Sequence, residues 1–330
     1  MKNEKKILFI IDEIELKYFE FNRLITNFWL IKCFLERGYE VSITVKNLLY
    51  LNGNIPLAKI YQTSARNNNI FKSETVDTVC LNDFSVIFMR PDPPVDIDYI
   101  NATYILSYIN NPKTLIINSP KTLRDFNEKL YINKFPNLAP ENIVSANKNI
   151  IKEFLFKNGE IIIKPLNRCF SSGVFYLNKA DKNINAIIDT ATNNGKTQIM
   201  AQRFLSGISK GDKRLIFIGG EIFNYAVRKV ATNNDFKFNE HVKENLIKGD
   251  LDESEKLIEG QIAQTLLDDG VYMAGLDVID GKIIEINITS PCFFINEINS
   301  LYNVNFENII TDKILNIINS EKSGTCAGIL

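Results

Sequence analysis

The stretch Leu276–Pro291, LDVIDGKIIEINITSP, decides how the rest of the chain is read. Two segments, LDVI and IIEINI, are rich in β-branched residues and meet at Asp280-Gly281, the composition of a hairpin. A buried strand pair favours apolar side chains, yet this one carries Asp277, Glu285 and Asn287. Glu285 and Asn287 are two apart and share a face. Asp277 joins them only if it pairs with Glu285. A three-residue loop, Asp280-Gly281-Lys282, gives that register, with glycine supplying the positive φ. A two-residue Asp280-Gly281 turn pairs Asp277 with Ile284 instead and sends Glu285 to the other face. In the first register two carboxylates and an amide oxygen converge, a cluster costly to bury without a cation. Mg²⁺ suits that set, because it takes hard oxygen ligands, keeps several waters and bridges to phosphates; Mn²⁺ is the alternative ion. The plain alternative is a solvated hairpin with exposed acids, which accounts for Asp280.

The chain has 330 residues, too many for one comfortable core, and suggests two or three domains. It is 45% hydrophobic and 23% charged, as ordinary globular proteins are. The net charge of -1 gives no broad field toward nucleic acid or an anionic membrane, so neither is expected as a partner. No apolar run approaches the roughly 20 residues that span a bilayer. The opening MKNEKKILFIID has a basic lead, but acidic residues interrupt it and no small-residue cleavage site follows. It reads as a first buried strand, and the expected compartment is the cytoplasm. Cys33, Cys80, Cys169, Cys292 and Cys326 show no metal-type spacing; for Cys169 and Cys292 a buried or inert thiol is expected, with a redox sensor as the alternative. The single His241 rules out a multi-histidine zinc site or a Ser-His triad within one chain, and solvation is its expected state.

KILFIID, a helical stretch around Leu24 to Arg37, and EVSITV form a β-α-β opening, with Gly38 ending the helix. SVIFMR is a further strand that runs into PDPPVD; INATYILSYI is a helix and KTLIIN a strand. The alternation predicts an α/β domain with a parallel sheet. Sites on such sheets lie beyond the strands' carboxyl ends, where Arg90, Asp92 and Asn118 stand. Ser119-Pro120 reads as the start of a helix. Farther on, EIIIKPL, GVFYLNK and TQIMAQRFL read as strands. GDKRLIFIGGEIFNYAVRKV reads as a meander turning at Gly219-Gly220, and ESEKLIEGQIAQTLLDDG as an amphipathic helix. The polar segment from Val230 is expected to be a mobile loop. A metal site of this kind needs cations for phosphate. Lys129, and Lys164 at the close of a buried strand, are the candidates.

MRPDPPVD, SPKTLRDFNEKL, IIIKPL, AQRFL, GDKRL, AGLDVI and EINITSP occur in the order and spacing of bacterial glutathione synthetase. The chain resembles that family, an ATP-grasp ligase, from about Lys6 to Ile318. The resemblance implies an ATP-grasp fold: an N-terminal α/β domain (1–122), a lid (123–203), a C-terminal α+β domain with the metal site (204–320) and a flexible tail (321–330). It implies a ligase that activates a carboxylate with ATP and passes it to an amine, in the family γ-glutamylcysteine and glycine. It also implies a homo-oligomer, dimer or tetramer. Carried over residue by residue, Lys129, Lys164, Ser171, Ser172, Gly173 and Asp212 meet ATP, with Gln202, Arg203, Phe204 and Leu205 at adenine. Asp277, Glu285 and Asn287 hold the metal. Arg214 and Arg228 face the transferring phosphoryl group, although Arg228 is one residue short in spacing. Arg90, Asp92, Asn118, Ser290 and Asn296 belong to the substrate side.

Three departures stand out. The family's glycine-rich phosphate loop is NRCFSSG here, with one glycine and several bulky side chains: Ser171, Ser172 and Gly173 are left to present N–H groups and Arg168 a cation, and steric obstruction by Phe170 is the equal alternative. The loop after the meander has no arginine or glycine from Val230 to Asn245, leaving Lys237 or Lys243 as substitutes. Asn296 stands near the place of an arginine suited to a substrate carboxylate. These departures leave two alternatives open: a ligase with another acid, or a binding or regulatory paralogue without turnover.

Overall fold

The computed structural model describes residues 5–169, 171–230 and 245–323. The expectations placed on Phe170, Lys237, His241, Lys243, Cys326 and most of the polar loop after Val230 lie outside these residues. In the first sheet, Glu40–Val45, Lys6–Ile11, Val86–Met89 and Leu115–Ile117 lie side by side in that order, all parallel. Such strands are apolar on both faces because helices cover both. Alternate residues of one strand enter two cores: Ile7, Phe9 and Ile11 pack with Phe28 and Phe34 of helix Thr26–Glu36. Leu8 and Ile10 pack with Tyr99 and Leu106 of the region around helix Ile97–Leu106. An antiparallel arm, 49–80, extends the sheet beyond Glu40–Val45 through strand Ile55–Arg66. Strand–helix alternation did not foretell it.

Pro120 opens helix Pro120–Asp125 behind Ser119. Leu123, Tyr131, Ile132 and Phe135 then pack in the core that also holds Leu215 and Leu276. The small domain has a separate core of Ile151, Leu155, Ile161, Ile163, Leu177, Ile188 and Ile199. Above it lies an antiparallel sheet in the order Phe175–Asn178, Glu160–Pro165, Ile199–Arg203, Asn142–Ser145. The third sheet, also antiparallel, runs Leu246–Lys248, Val227–Lys229, Asp212–Ile218, Met273–Ile279, Lys282–Asn287. Ile216, Met273, Phe293 and Phe306 join the core of Ile7 and Phe9, so the first and third sheets are packed as one body. The last helix, Phe306–Ser323, continues through the first residues of the expected tail. Among the described residues, no helix is long and apolar enough to cross a membrane.

Candidate active site

The 276–291 hairpin reaches the metal-site register by neither of the routes read from its sequence. Ile279 pairs with Lys282 across a two-residue turn, in which Asp280 (φ 49°) and Gly281 (φ 70°) both take positive φ. That turn alone would oppose Asp277 to Ile284. Instead a bulge leaves Ile284 unpaired: Val278 faces Ile283, Asp277 faces Glu285 and Gly275 faces Asn287. The extra residue returns Glu285 to the face of Asp277. The expected three-residue loop is therefore a two-residue turn plus a bulge. The Ile284 carbonyl accepts from Lys164 Nζ at 3.4 Å. Asp280 does more than face solvent: its Oδ2 accepts the Gly207 N–H at 3.0 Å.

Asp277 and Glu285 each have a cation. Asp277 is 6% exposed and takes a bidentate pair from Arg214, 2.9 and 3.0 Å, and a third contact from Lys229 Nζ at 2.9 Å. Burial alone would raise its carboxyl, but Arg214 and Lys229 outweigh burial and hold it well below the usual carboxylate range. Lys229 also pairs with Asp212, and burial is again outweighed, so its ammonium is stabilised. Lys129 donates to Glu285 Oε1 at 3.1 Å and to the Arg168 carbonyl at 2.7 Å. Burial lowers the Lys164 ammonium below its ordinary value, with Glu285 opposing. Arg214 lies across Gly275, where an added Cβ would sit 3.0 Å from its Cδ, so a glycine is what lets the guanidinium reach Asp277 along the strand.

These groups line a cavity of about 670 Å³ between the small sheet and the C-terminal sheet. Ile162, Val174, Phe204, Leu205, Ile208, Ile279 and Ile284 make an apolar slot beside the cations. Gln202 lines the same slot, and its Nε2 is buried without a partner among the described residues. That unfilled donor and the flat apolar walls fit a heteroaromatic base, and the adjoining lysines fit phosphates. Asn287 spends its Nδ2 on Gly275 O and Asp277 Oδ2, both at 3.2 Å, which leaves its Oδ1 for another partner. No three His, Cys, Asp or Glu side chains cluster as metal ligands among the described residues. The trio is two carboxylates and an amide, an all-oxygen set that fits a hard divalent cation.

The cavity brings together Lys129, Lys164, Ser171, Ser172, Gln202, Arg203, Phe204, Leu205, Asp212, Arg214, Asp277, Glu285, Asn287, Arg90, Asp92 and Ser290. Four expected residues lie elsewhere. Arg228 turns to the Lys210 and Gly211 carbonyls, at 3.5 and 3.4 Å, and its neighbour Lys229 faces the cavity instead. Gly173 (φ 74°) packs on Pro165 behind the loop. Asn118 is a joint between the first and third sheets: its Nδ2 donates to the Met273 and Ile288 carbonyls, and its Oδ1 accepts from the Tyr272 and Met273 amides. With its hydrogen bonds spent there, none is left for substrate. Asn296 donates to Glu297 and lines a separate surface hollow with Tyr18 and Arg23.

Sequence reasoning missed Glu15, Asn27, Glu128 and Lys229. Glu128 Oε1 accepts from the Ile288 and Thr289 amides and the Thr289 hydroxyl, which fixes the chain just beyond strand Lys282–Asn287. Its place next to Lys129 was the available signal. Cys169 and Cys292 line the cavity, and burial raises both thiols, as for unreactive cysteines.

Residues 6–124 match the model of the prokaryotic glutathione synthetase N-terminal domain, and 128–303 that of its ATP-grasp domain. Glutathione synthetase of Vibrio cholerae is 35% identical over 88% of this chain and 90% of its own, and that of Vibrio vulnificus 36% over 86% and 88%. Among solved structures, D-cycloserine synthetase DcsG superposes with a TM-score of 0.67 at 14% identity, covering 95% of this chain and 99% of its own. ATP-grasp ligase PsnB, complexed with minimal precursor, Mg and ADP, gives 0.61 at 14% identity, covering 96% and 99%. The fold, the paired sheets around the cavity and these matches together make the chain a member of the prokaryotic glutathione synthetase family of ATP-grasp ligases.

Proposed function

We propose that the chain joins γ-glutamylcysteine to glycine, converting ATP to ADP and phosphate, with Mg²⁺ as the metal. One observation supports this most: the bulged ribbon turns Asp277, Glu285 and Asn287 to one face of a cavity that Lys129, beside the ribbon's edge, and Lys164, from the small sheet, also line. A carboxylate is a poor electrophile at neutral pH. Attack of its oxygen on the γ-phosphorus of ATP expels ADP and leaves an acylphosphate, and the amine then displaces phosphate. Asp277, Glu285 and Asn287 would hold Mg²⁺, which supplies Lewis-acid neutralisation of phosphate charge when bound. Lys129 and Lys164 serve phosphate oxygens as point charges, and Lys164, starved of solvent, gains most from an anion beside it. Arg214, locked on Asp277 and the Cys292 carbonyl, presents a preorganised guanidinium at the phosphoryl position.

Phosphate release from ATP should require both acid and amine. No release above background with γ-glutamylcysteine and glycine removes the glutathione assignment. Nucleotide-dependent thermal stabilisation with no turnover across an acid panel would favour a binding paralogue. A ligase for another acid is the second reading, favoured by Asn296, which faces out of the main cavity and offers no cation to the acid. Family membership supports a cytoplasmic homo-oligomer, dimer or tetramer, which light scattering and fractionation test.

A further inference from the structure

The tip of the bulged ribbon touches both connections between the small domain and the rest of the chain. One connection enters strand Asn142–Ser145 from the segment after Phe135. The other leaves strand Ile199–Arg203 for strand Asp212–Ile218 through a short helical turn, Ser206–Lys210. On the first, Lys282 Nζ donates to the Asn137 carbonyl and the Ile283 amide to the Leu138 carbonyl, both at 2.8 Å. On the second, Asp280 Oδ2 accepts the Gly207 amide at 3.0 Å. The approach is close: a Cβ added to Gly207 would stand 1.9 Å from Asp280 Oδ1. The tip is itself held by the body. A Cβ on Gly281 would meet Ser254 Oγ at 2.6 Å, and Ser254 donates to Asp252, which caps helix Glu253–Lys256. At the loop after strand Glu160–Pro165 the small domain meets the body through side chains: Lys129 Nζ donates to the Arg168 carbonyl and Asn127 Nδ2 to the Leu166 carbonyl, each at 2.7 Å. Its core is its own, so it is built to move as a unit.

We propose that Asp280 is a positioning residue: by holding Gly207 it fixes the axis on which the small domain closes over a nucleotide in the cavity. The inference rests on the nucleotide-binding part of the ligase reading and on no step of ligation. A domain joined by two connections swings about the points where they are anchored. Here the anchors are Asp280, Lys282 and Ile283, at the end of the ribbon that carries Asp277, Glu285 and Asn287. The swing is thereby referred to the metal-site strands. Lys164 travels with the small sheet, and its Nζ reaches the same ribbon at the Ile284 carbonyl. Where that ammonium meets phosphate therefore depends on how firmly the tip grips both connections. Asp280 itself is exposed, stands outside the cavity lining and makes no ion pair among the described residues. Its influence on bound nucleotide runs through Gly207.

The test uses the full chain with genetically encoded spin labels at two exposed helix positions, Glu153 in the small domain and Asn101 in the body, which leaves the cysteines untouched. The distance between the labels is read by pulsed electron spin resonance with Mg²⁺ and a non-hydrolysable ATP analogue. Residue 280 takes positive φ, which glycine and asparagine both tolerate. Asp280→Gly therefore removes the acceptor without straining the turn, and Asp280→Asn keeps it. The wild type and Asp280→Asn should each give one narrow distribution. Asp280→Gly should widen it about twofold or more and weaken calorimetric binding of the analogue about threefold to tenfold, with an unchanged melting temperature. Gly207→Ala should do the same through its clash with Oδ1, and adding it to Asp280→Gly should change nothing further. An Asp280→Gly distribution as narrow as the wild type's overturns the inference. So does an Asp280→Asn distribution as wide as that of Asp280→Gly, additivity of the two substitutions, or a wild type that binds no analogue. The expected widening together with no phosphate release in the full reaction leaves this inference standing and removes the ligation reading alone.

Discussion

The two ends of the cavity handle charge in opposite ways. At the ribbon end three carboxylates are ion-paired, Asp277 by Arg214 and Lys229, Asp212 by Lys229 and Glu285 by Lys129, while Glu128 is held by two amides and a hydroxyl. At the other end Glu15 has only an amide, and Arg90 keeps a donor unfilled. A matched set is preorganised, since its geometry is held before any ligand arrives. An unmatched set stores a preference, because a ligand that completes it relieves a desolvated charge.

The largest effect should come from breaking the matched end. Asp277→Ala leaves Arg214 and Lys229 buried without their shared partner, so a loss of about 3–5 kcal/mol in denaturant unfolding is expected, together with loss of turnover. A stability change under about 1 kcal/mol would mean that the network is not held as described.

The unmatched end should show itself in pH. Folding raises the Glu15 carboxyl from an ordinary 4.5 to about 7. Between those values the native state holds a proton that the unfolded chain has released, so Glu15 makes stability fall as pH rises across that window. The wild type should lose about 2 kcal/mol relative to Glu15→Gln from pH 4.5 to 7, read from melting curves of the two proteins. Parallel curves would remove the buried charge from the account.

Lys229 and Arg228 sharpen the comparison at one-residue resolution. Lys229→Met should lower kcat/KM for ATP about tenfold or more, and Arg228→Met less than about threefold, measured by coupled ADP release. A smaller effect is expected at Gly173. With φ of 74° and a new Cβ 2.9 Å from Pro165 Cγ, Gly173→Ala should strain the phosphate loop by about 1 kcal/mol. The readout is a KM for ATP raised a few-fold.

The matched end was largely legible in the sequence because its ligands sit on strands, where a period of two fixes which side chains share a face. Even so, the bulge at Ile284 was hidden. Bulge and loop length both shift register by one residue, and DGKIIE is compatible with either. The same one-residue ambiguity confused Arg228 with Lys229. The unmatched end was illegible for a different reason. Nothing in the pattern of EIELK says that Glu15 meets Asn27, twelve residues on, or that Arg90 reaches Asn27 from the end of strand Val86–Met89. Such contacts come from packing around the carboxyl edge of a sheet and leave no periodic trace. Asn118 stood at that edge too, and packing turned it into a joint. The parallel strands were legible from their continuous apolar runs. The 49–80 arm was not, since its longest strand is largely exposed over its second half.

The central claim is that the bulged ribbon carries the metal-dependent chemistry through Glu285. Its most direct test is phosphate release at saturating ATP, Mg²⁺, γ-glutamylcysteine and glycine, for the wild type and for Glu285→Gln of equal melting temperature. Release by the wild type should need both acid and amine, and the variant should fall below about one-hundredth of it. A Glu285→Gln protein with near wild-type release would contradict the account.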